Sequence, residues 1–289
     1  MGTLAFWSVG PIFIKFLTGS LDSFTQNALR YAVACLFALP FLWLVARHRR
    51  MDGRVWRKAI WPAIPNVLMQ TLWAASFYYA DPALVSLLSE TNILWIMALS
   101  VILIAEERRL LGSWRFWAGL ALSITGVLGV LYNKRNFAAS GTRIGIALAL
   151  GQAVFSALYA ILIKKNLGQI NSQVGFFVVS LYTTAALWVL ALIWGHPGQA
   201  LNIGLRDWTF VVVSGVTAIT LGHTFYYAAI KRIGATIPSL VILAQPFGVL
   251  ILSRIVFGEQ MNGWQLAFGV VLLSGAACAI WARRDLQVE

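Results

Sequence analysis

Long apolar runs, interrupted by short polar and turn-rich intervals, set the pattern of this chain. Crossing about 30 Å of hydrocarbon as an α-helix takes roughly 20 residues. Cutting at the charged breaks gives runs at Gly2–Leu17, Phe24–Ala46, Ala59–Ala80, Ala83–Ile104, Trp114–Tyr132, Thr142–Ile163, Ser172–Trp194, Trp208–Ile230, Ala235–Phe257 and Gly263–Ala282. The intervals leave no room for a soluble domain. The pattern predicts an all-α integral membrane protein of ten transmembrane helices.

Composition agrees. Apolar residues are 60% of the 289 and charged residues 11%, against roughly 25% charged in soluble domains. A soluble fold of this length cannot hide so much apolar surface, whereas lipid solvates it directly. The net charge of +12 first suggests nucleic acid. Lys and Arg, however, fall in the breaks and not along one amphipathic face, so the expected partner is the bilayer, with no nucleic acid. With the N-terminus in the cytoplasm, the inner loops hold 15 of the basic residues and the outer loops five; Arg30 and Arg254 lie inside spans. This bias places both termini inside. Gly2 to Phe16 lacks a basic leader region and a small-residue cleavage site, and reads as a first span. Cys35 and Cys278 sit in apolar runs, without metal-ligand or disulfide spacing; no metal or cofactor is expected.

The two halves echo each other. Phe77-Tyr78-Tyr79-Ala80 closes the third run and Phe225-Tyr226-Tyr227-Ala228 the eighth. Ala83 stands as far before Glu107 as Ala235 before Glu259, and a Trp-x4-Gly pattern follows each time, at Trp114/Gly119 and Trp264/Gly269. Five spans is an odd number, so a second half of five enters the membrane upside down. Residues 1–135 and 136–289 are thus expected to be two inverted five-helix repeats in one bundle. Inverted repeats place a substrate site near the midplane and work by alternating access.

On these features the chain resembles the drug/metabolite transporter superfamily, and within it the EamA-type exporters. Around Phe77-Tyr78-Tyr79 and Ser89-Glu90-Thr91-Asn92 it is most similar to the YddG-type aromatic amino-acid exporters. The resemblance covers essentially the whole chain. It implies export of amino acids, aromatic and other neutral ones, across a bacterial inner membrane; related exporters carry drugs or other metabolites on the same scaffold.

Polar groups in hydrocarbon are costly, so their faces are informative. Asn66, Gln70, Trp73 and Phe77 share one helical face; so do Gln152, Ser156 and Tyr159, and again Thr220, His223 and Tyr227. Such stripes serve either as interhelical glue, about 0.6 kcal/mol per pair, or as the lining of a pathway. Glu90 is the carboxylate placed deepest in a run, where an acid costs about 2.5–3.5 kcal/mol. It is read as receiving a substrate ammonium or a coupling proton, or else as the partner of Arg30. Asn92 and Trp95 stand beside it, and Tyr78 joins the aromatic candidates for a flat, apolar ligand. Pro11 and Pro246 interrupt spans and are candidate hinges.

The chain has no phosphate-binding Gly-x4-Gly-Lys-Ser/Thr loop, so a gradient of substrate or protons is the expected driving force. It also lacks metalloprotease and Gly-x-Ser-x-Gly signatures. An intramembrane enzyme would have to rely on Glu90 and His223. Ten spans make a pathway in one chain, so a functional monomer is expected.

Overall fold

The computed structural model describes residues 2–48, 53–103, 105–133, 140–233 and 241–288, whose regular secondary structure is all helical, with no strand among them. The α-helices are α1 (Gly2–Leu17), α2 (Ser23–His48), α3 (Arg54–Ser76), α4 (Pro82–Ser89), α5 (Asn92–Leu103), α6 (Trp114–Tyr132), α7 (Ser140–Leu167), α8 (Ser172–Trp194), α9 (Leu205–Ser214), α10 (Gly222–Ile233), α11 (Gln245–Phe257) and α12 (Gly263–Val288). A π-helical segment, Gly215–Leu221, joins α9 to α10. Among the described residues, six stretches are long and apolar enough to cross a membrane, and α1 and α11 are shorter apolar helices. The 26-residue α2 and 23-residue α3 have the length but carry polar groups: Gln26, Asn27 and Arg30 in α2, and Arg54, Arg57 and Lys58 opening α3.

Most predicted spans reappear as helices, with three informative departures. The third begins at Arg54 because charged, helix-favouring residues carry it past its apolar part, and it ends at Ser76. Beyond that point it tightens, with N–H groups of Tyr78 and Tyr79 bonding three residues back. The fourth is split into α4 and α5 at Glu90–Thr91, and the eighth contains the π segment. Residues 234–240, including Pro238, lie outside the described residues.

Hydrogen bonds and packing gather many helix termini at one end. Lys15 near the end of α1 donates to Ala80 O at 3.3 Å, and Gly145 near the start of α7 packs on Tyr79 and Ala80. Thus α1 ends where α7 begins, and the first helices of the two halves run in opposite senses. At the same end, Glu259 accepts from Ala83 N at 3.1 Å, Asn262 Nδ2 donates to Asn133 O at 2.8 Å, and His196 N donates to Asp22 at 2.9 Å. Helices α1, α3, α6, α8 and α11 finish there, while α2, α4, α7 and α12 start there.

The apolar core centres on Ile14, Phe77, Leu84, Leu88, Val130 and Leu272, which join α1, α3, α4, α6 and α12. Helices α6 and α12 meet through small residues. A Cβ on Gly126 would lie 2.4 Å from Leu272 N, and one on Gly275 would lie 2.4 Å from Ser123 Oγ. Bare backbone allows this approach, as is common between membrane helices. Gly126→Val should therefore lower stability by about 1–3 kcal/mol, the usual cost of overpacking. Gly53, with nothing near its Cβ position, is the control: thermal unfolding in detergent should show a clear loss for Gly126→Val and little change for Gly53→Ala.

Candidate functional site

The break between α4 and α5 has a local cause. Ser89 Oγ donates to Val85 O at 2.8 Å and Thr91 Oγ1 to Leu88 O at 2.7 Å, bonds that compete with the backbone ladder and bend helices. The N–H groups of Glu90 and Thr91 turn back only three residues, to Leu87 and Leu88. Glu90 caps α4 at this break and is 9% exposed. Its carboxylate has no hydrogen-bond or ion-pair partner among the described residues. The Glu90–Arg30 pair does not form: Arg30 Nε donates instead to Ser214 Oγ at 2.9 Å. Counted from Ala235 as Glu90 is from Ala83, the corresponding residue is Ile242, and a turn at Leu243–Ala244 follows it immediately. Both halves interrupt their fourth span at the same place.

The other predicted residues separate into groups. Asn92 opens α5 and reaches Ser156 Oγ of α7 at 3.4 Å. Gln152, one turn away on α7, is buried with its Oε1 unpartnered among the described residues. Asn92 stands two residues after Glu90, so its bond to Ser156 ties α7 to the break. Asn66 donates to Thr183 Oγ1 at 2.8 Å, tying α3 to α8. Gln70 is half-buried, and Trp73 meets Phe77 edge-on at 4.8 Å. Tyr159 packs by the core of Val55, Ala59 and Val178.

Two aromatic candidates sit in surroundings that an enclosed pocket would not supply. Trp95 is 41% exposed, so it does not wall an enclosed cavity beside Glu90. Tyr78 lies beyond the end of α3, where its hydroxyl accepts from Gln26 Nε2 at 2.7 Å and donates to Leu21 O. It braces the turn between α1 and α2. His223 stacks on Phe176 at 4.5 Å and meets Trp7 edge-on at 5.1 Å. Its Nδ1 stands 2.8 Å from Ile219 O, which can only accept, so the proton is on Nδ1. The Tyr227 side chain lies outside the described residues.

The two proline positions differ. Pro11 sits within α1 and is buried; lacking an N–H, it leaves Trp7 O free, and Gln245 Nε2 donates to that oxygen at 3.1 Å. Pro246 is in the first turn of α11, where the missing N–H has no intrahelical partner to lose.

Apart from Arg30, read only as a partner for Glu90, sequence reasoning passed over two further sets. Gln26, Asn27 and Arg30 share one face of α2 and carry unpartnered buried atoms; their spacing was the visible signal. At the end where α1 finishes, Lys15 donates to Phe77 O at 2.8 Å as well as to Ala80 O. Gly258, at φ 69°, closes α11 in the left-handed conformation that glycine tolerates, which turns Glu259 back onto the start of α4. There the carboxylate accepts from Ala83 N and from Ser253 Oγ. Burial raises its pKa, and these hydrogen bonds only partly offset the rise. Asp22 is the reverse case: burial pushes its pKa up, but bonds from Thr25, His196 and Phe24 outweigh burial and hold it below the ordinary range.

Residues 1–132 and 143–281 match the sequence profile of the EamA-like transporter family. The chain belongs to that family. It is therefore a multi-pass membrane protein that moves small molecules, and the two matched stretches are its two repeats. A solved crystal structure of 20% identity superposes with a TM-score of 0.66 over 98% of this chain and 96% of the other; the likeness shows a shared fold. No curated protein matches the chain.

For an EamA-like transporter, Lys15, Asp81 and Glu259 form a charged junction where α1, α4 and the α11–α12 turn meet. A carboxyl whose pKa is raised on folding binds more protons in the folded state. Stability should accordingly fall as pH rises from the free-glutamate range through the raised value. Glu259→Gln should flatten that slope in pH-dependent thermal unfolding; an unchanged slope would mean that another group sets it.

Proposed function

We propose that this transporter exports amino acids, aromatic and other neutral ones, across the bacterial inner membrane by alternating access. On this reading the chain makes ten spans in two inverted repeats, divided near residue 135, with both termini in the cytoplasm. It works as a monomer. The opposite senses of α1 and α7 support the inversion, and the basic residues of the loops support the orientation. The resemblance around Tyr78 and Glu90 supports the substrate class.

One observation carries most of this reading: a buried, unpartnered carboxylate, Glu90, at the break of a discontinuous helix. Discontinuous helices at matching places in two halves mark substrate sites in transporters. Ionisable groups in that setting bind ions or carry protons. Asn92 and Gln152 are the neighbouring polar groups of the proposed pathway, with the interruptions ahead of Pro246 and at Pro11 as its hinges.

Counterflow of radiolabelled amino acids into liposomes holding the purified protein tests the reading. Phenylalanine, tyrosine or tryptophan should exchange, and Glu90→Gln should slow exchange about tenfold or more, the loss of one charge-assisted contact. Absence of exchange for every amino acid would remove the substrate assignment. An unchanged rate and pH profile in Glu90→Gln would make Glu90 structural.

A further inference from the structure

A second polar centre lies on α2. Gln26, Asn27 and Arg30 occupy one face of this helix, three and four residues apart. All three are buried, with Asn27 1% and Arg30 3% exposed. Arg30 is fixed at one edge only: Nε donates to Ser214 Oγ, which itself donates to Val211 O at 3.1 Å. The π segment presses against the same helix. A Cβ on Gly215 would lie 2.6 Å from Arg30 O, and Thr220 Oγ1 donates to Ala34 O at 3.0 Å. The widened turn thus clamps α2, and π segments recur at functional sites.

The rest of the centre is unsatisfied. Arg30 NH1, both polar atoms of the Asn27 amide and Gln26 Oε1 are buried without a hydrogen-bond partner among the described residues. Among the described residues no acidic side chain pairs with the guanidinium. Buried cations are ordinarily paired, and a membrane interior is where the lack of an anion matters most. A guanidinium edge with an amide donor one helical turn before it on the same face suits a carboxylate, which accepts two parallel N–H bonds. One unpaired positive charge calls for one negative charge, which favours a monoanion over a phosphate ester.

We propose that Arg30 and Asn27 form the receptor for the carboxylate of the transported solute, with Ser214 positioning the guanidinium. The site accepts any small monocarboxylate that fits. That the carboxylate belongs to an amino acid rests on the function proposed above.

Ligand-induced thermal stabilisation of the purified protein in detergent tests this with matched pairs: phenylalanine against phenylalaninamide, and 3-phenylpropionate against 3-phenylpropionamide. Chloride serves as a simple anion. In the unsubstituted protein each carboxylate should bind about tenfold or more tighter than its amide. Arg30→Gln should erase that preference, and Arg30→Lys should keep part of it. Because Arg30 also holds Ser214, its loss can impair folding, so Asn27→Leu is the deciding variant. The Asn27 amide has no partner to lose, so this variant should fold with undiminished stability while its preference for the carboxylate falls several-fold.

An unchanged preference in Asn27→Leu and Arg30→Gln overturns the proposal. So does the absence of any carboxylate preference, or stabilisation by chloride alone. If 3-phenylpropionate binds through Arg30 but phenylalanine does not, the carboxylate site stands and the amino-acid reading falls. If phenylalanine binds equally well to every variant, the reverse holds.

Discussion

The structure depends on one constraint: a backbone or side-chain polar group inside hydrocarbon must find a partner within the protein. Where the helices are regular, the ladder meets it. Where they are not, the partner comes from another helix, and repeatedly from the other half. The carbonyl that Pro11 frees at Trp7 is met by Gln245, and the start of α4 is met by Glu259. Asn66 pairs with Thr183 and Arg30 with Ser214. These bonds tie the halves at points where each is individually incomplete. Each is modest in energy, about 0.6 kcal/mol on average for a polar pair between membrane helices. That suits the proposed alternating access, in which the halves shift against one another.

Apolar surface and polar junction are distributed differently. Helices α6 and α12 approach through glycine, serine and alanine, a contact whose geometry backbone atoms set. Such a seam resists sliding. The junction of Lys15, Glu259 and the carbonyls of Phe77 and Ala80 is instead made of directional bonds to helix termini, which can break and reform without repacking a core. In a transporter of this family the first kind of contact suits a support and the second suits a gate.

The apolar runs made the helices legible in sequence, because lipid requires about 20 such residues whatever the fold. The echo of Ala83–Glu107 in Ala235–Glu259 aligned the two halves, but it gave no sign that the fourth run is broken at Glu90–Thr91. Other features had no such signal. The π segment carries no proline, and its cause is tertiary: the contact of Gly215 and Thr220 with α2. Tyr78 looked like pocket lining because its ring suits a flat, apolar ligand, yet its hydroxyl bonds Gln26 and Leu21. Composition shows that a phenol is present, not which chain segment will reach it. Arg30 was visible as a charge in a span, but read only as a partner for Glu90.

The satisfied and unsatisfied groups together bear on where a solute would pass. Thr220 and His223, read from the sequence as part of one polar stripe, bond to carbonyls of Ala34 and Ile219, and Thr224 bonds Thr220 O. Their hydrogen-bonding capacity is used within the protein, so they offer a ligand less than their spacing suggested. Gln26, Asn27, Arg30, Thr71, Ser86, Gln152 and Ser180 keep buried polar atoms without partners among the described residues. They lie on α2, α3, α4, α7 and α8, and the small-residue pair α6–α12 contributes none of them. Leaving so many polar groups unmet costs stability, unless water or a solute meets them in part of the transport cycle. The proposed pathway therefore moves toward α2, α7 and α8, with Glu90 and Arg30 as its two charges of opposite sign.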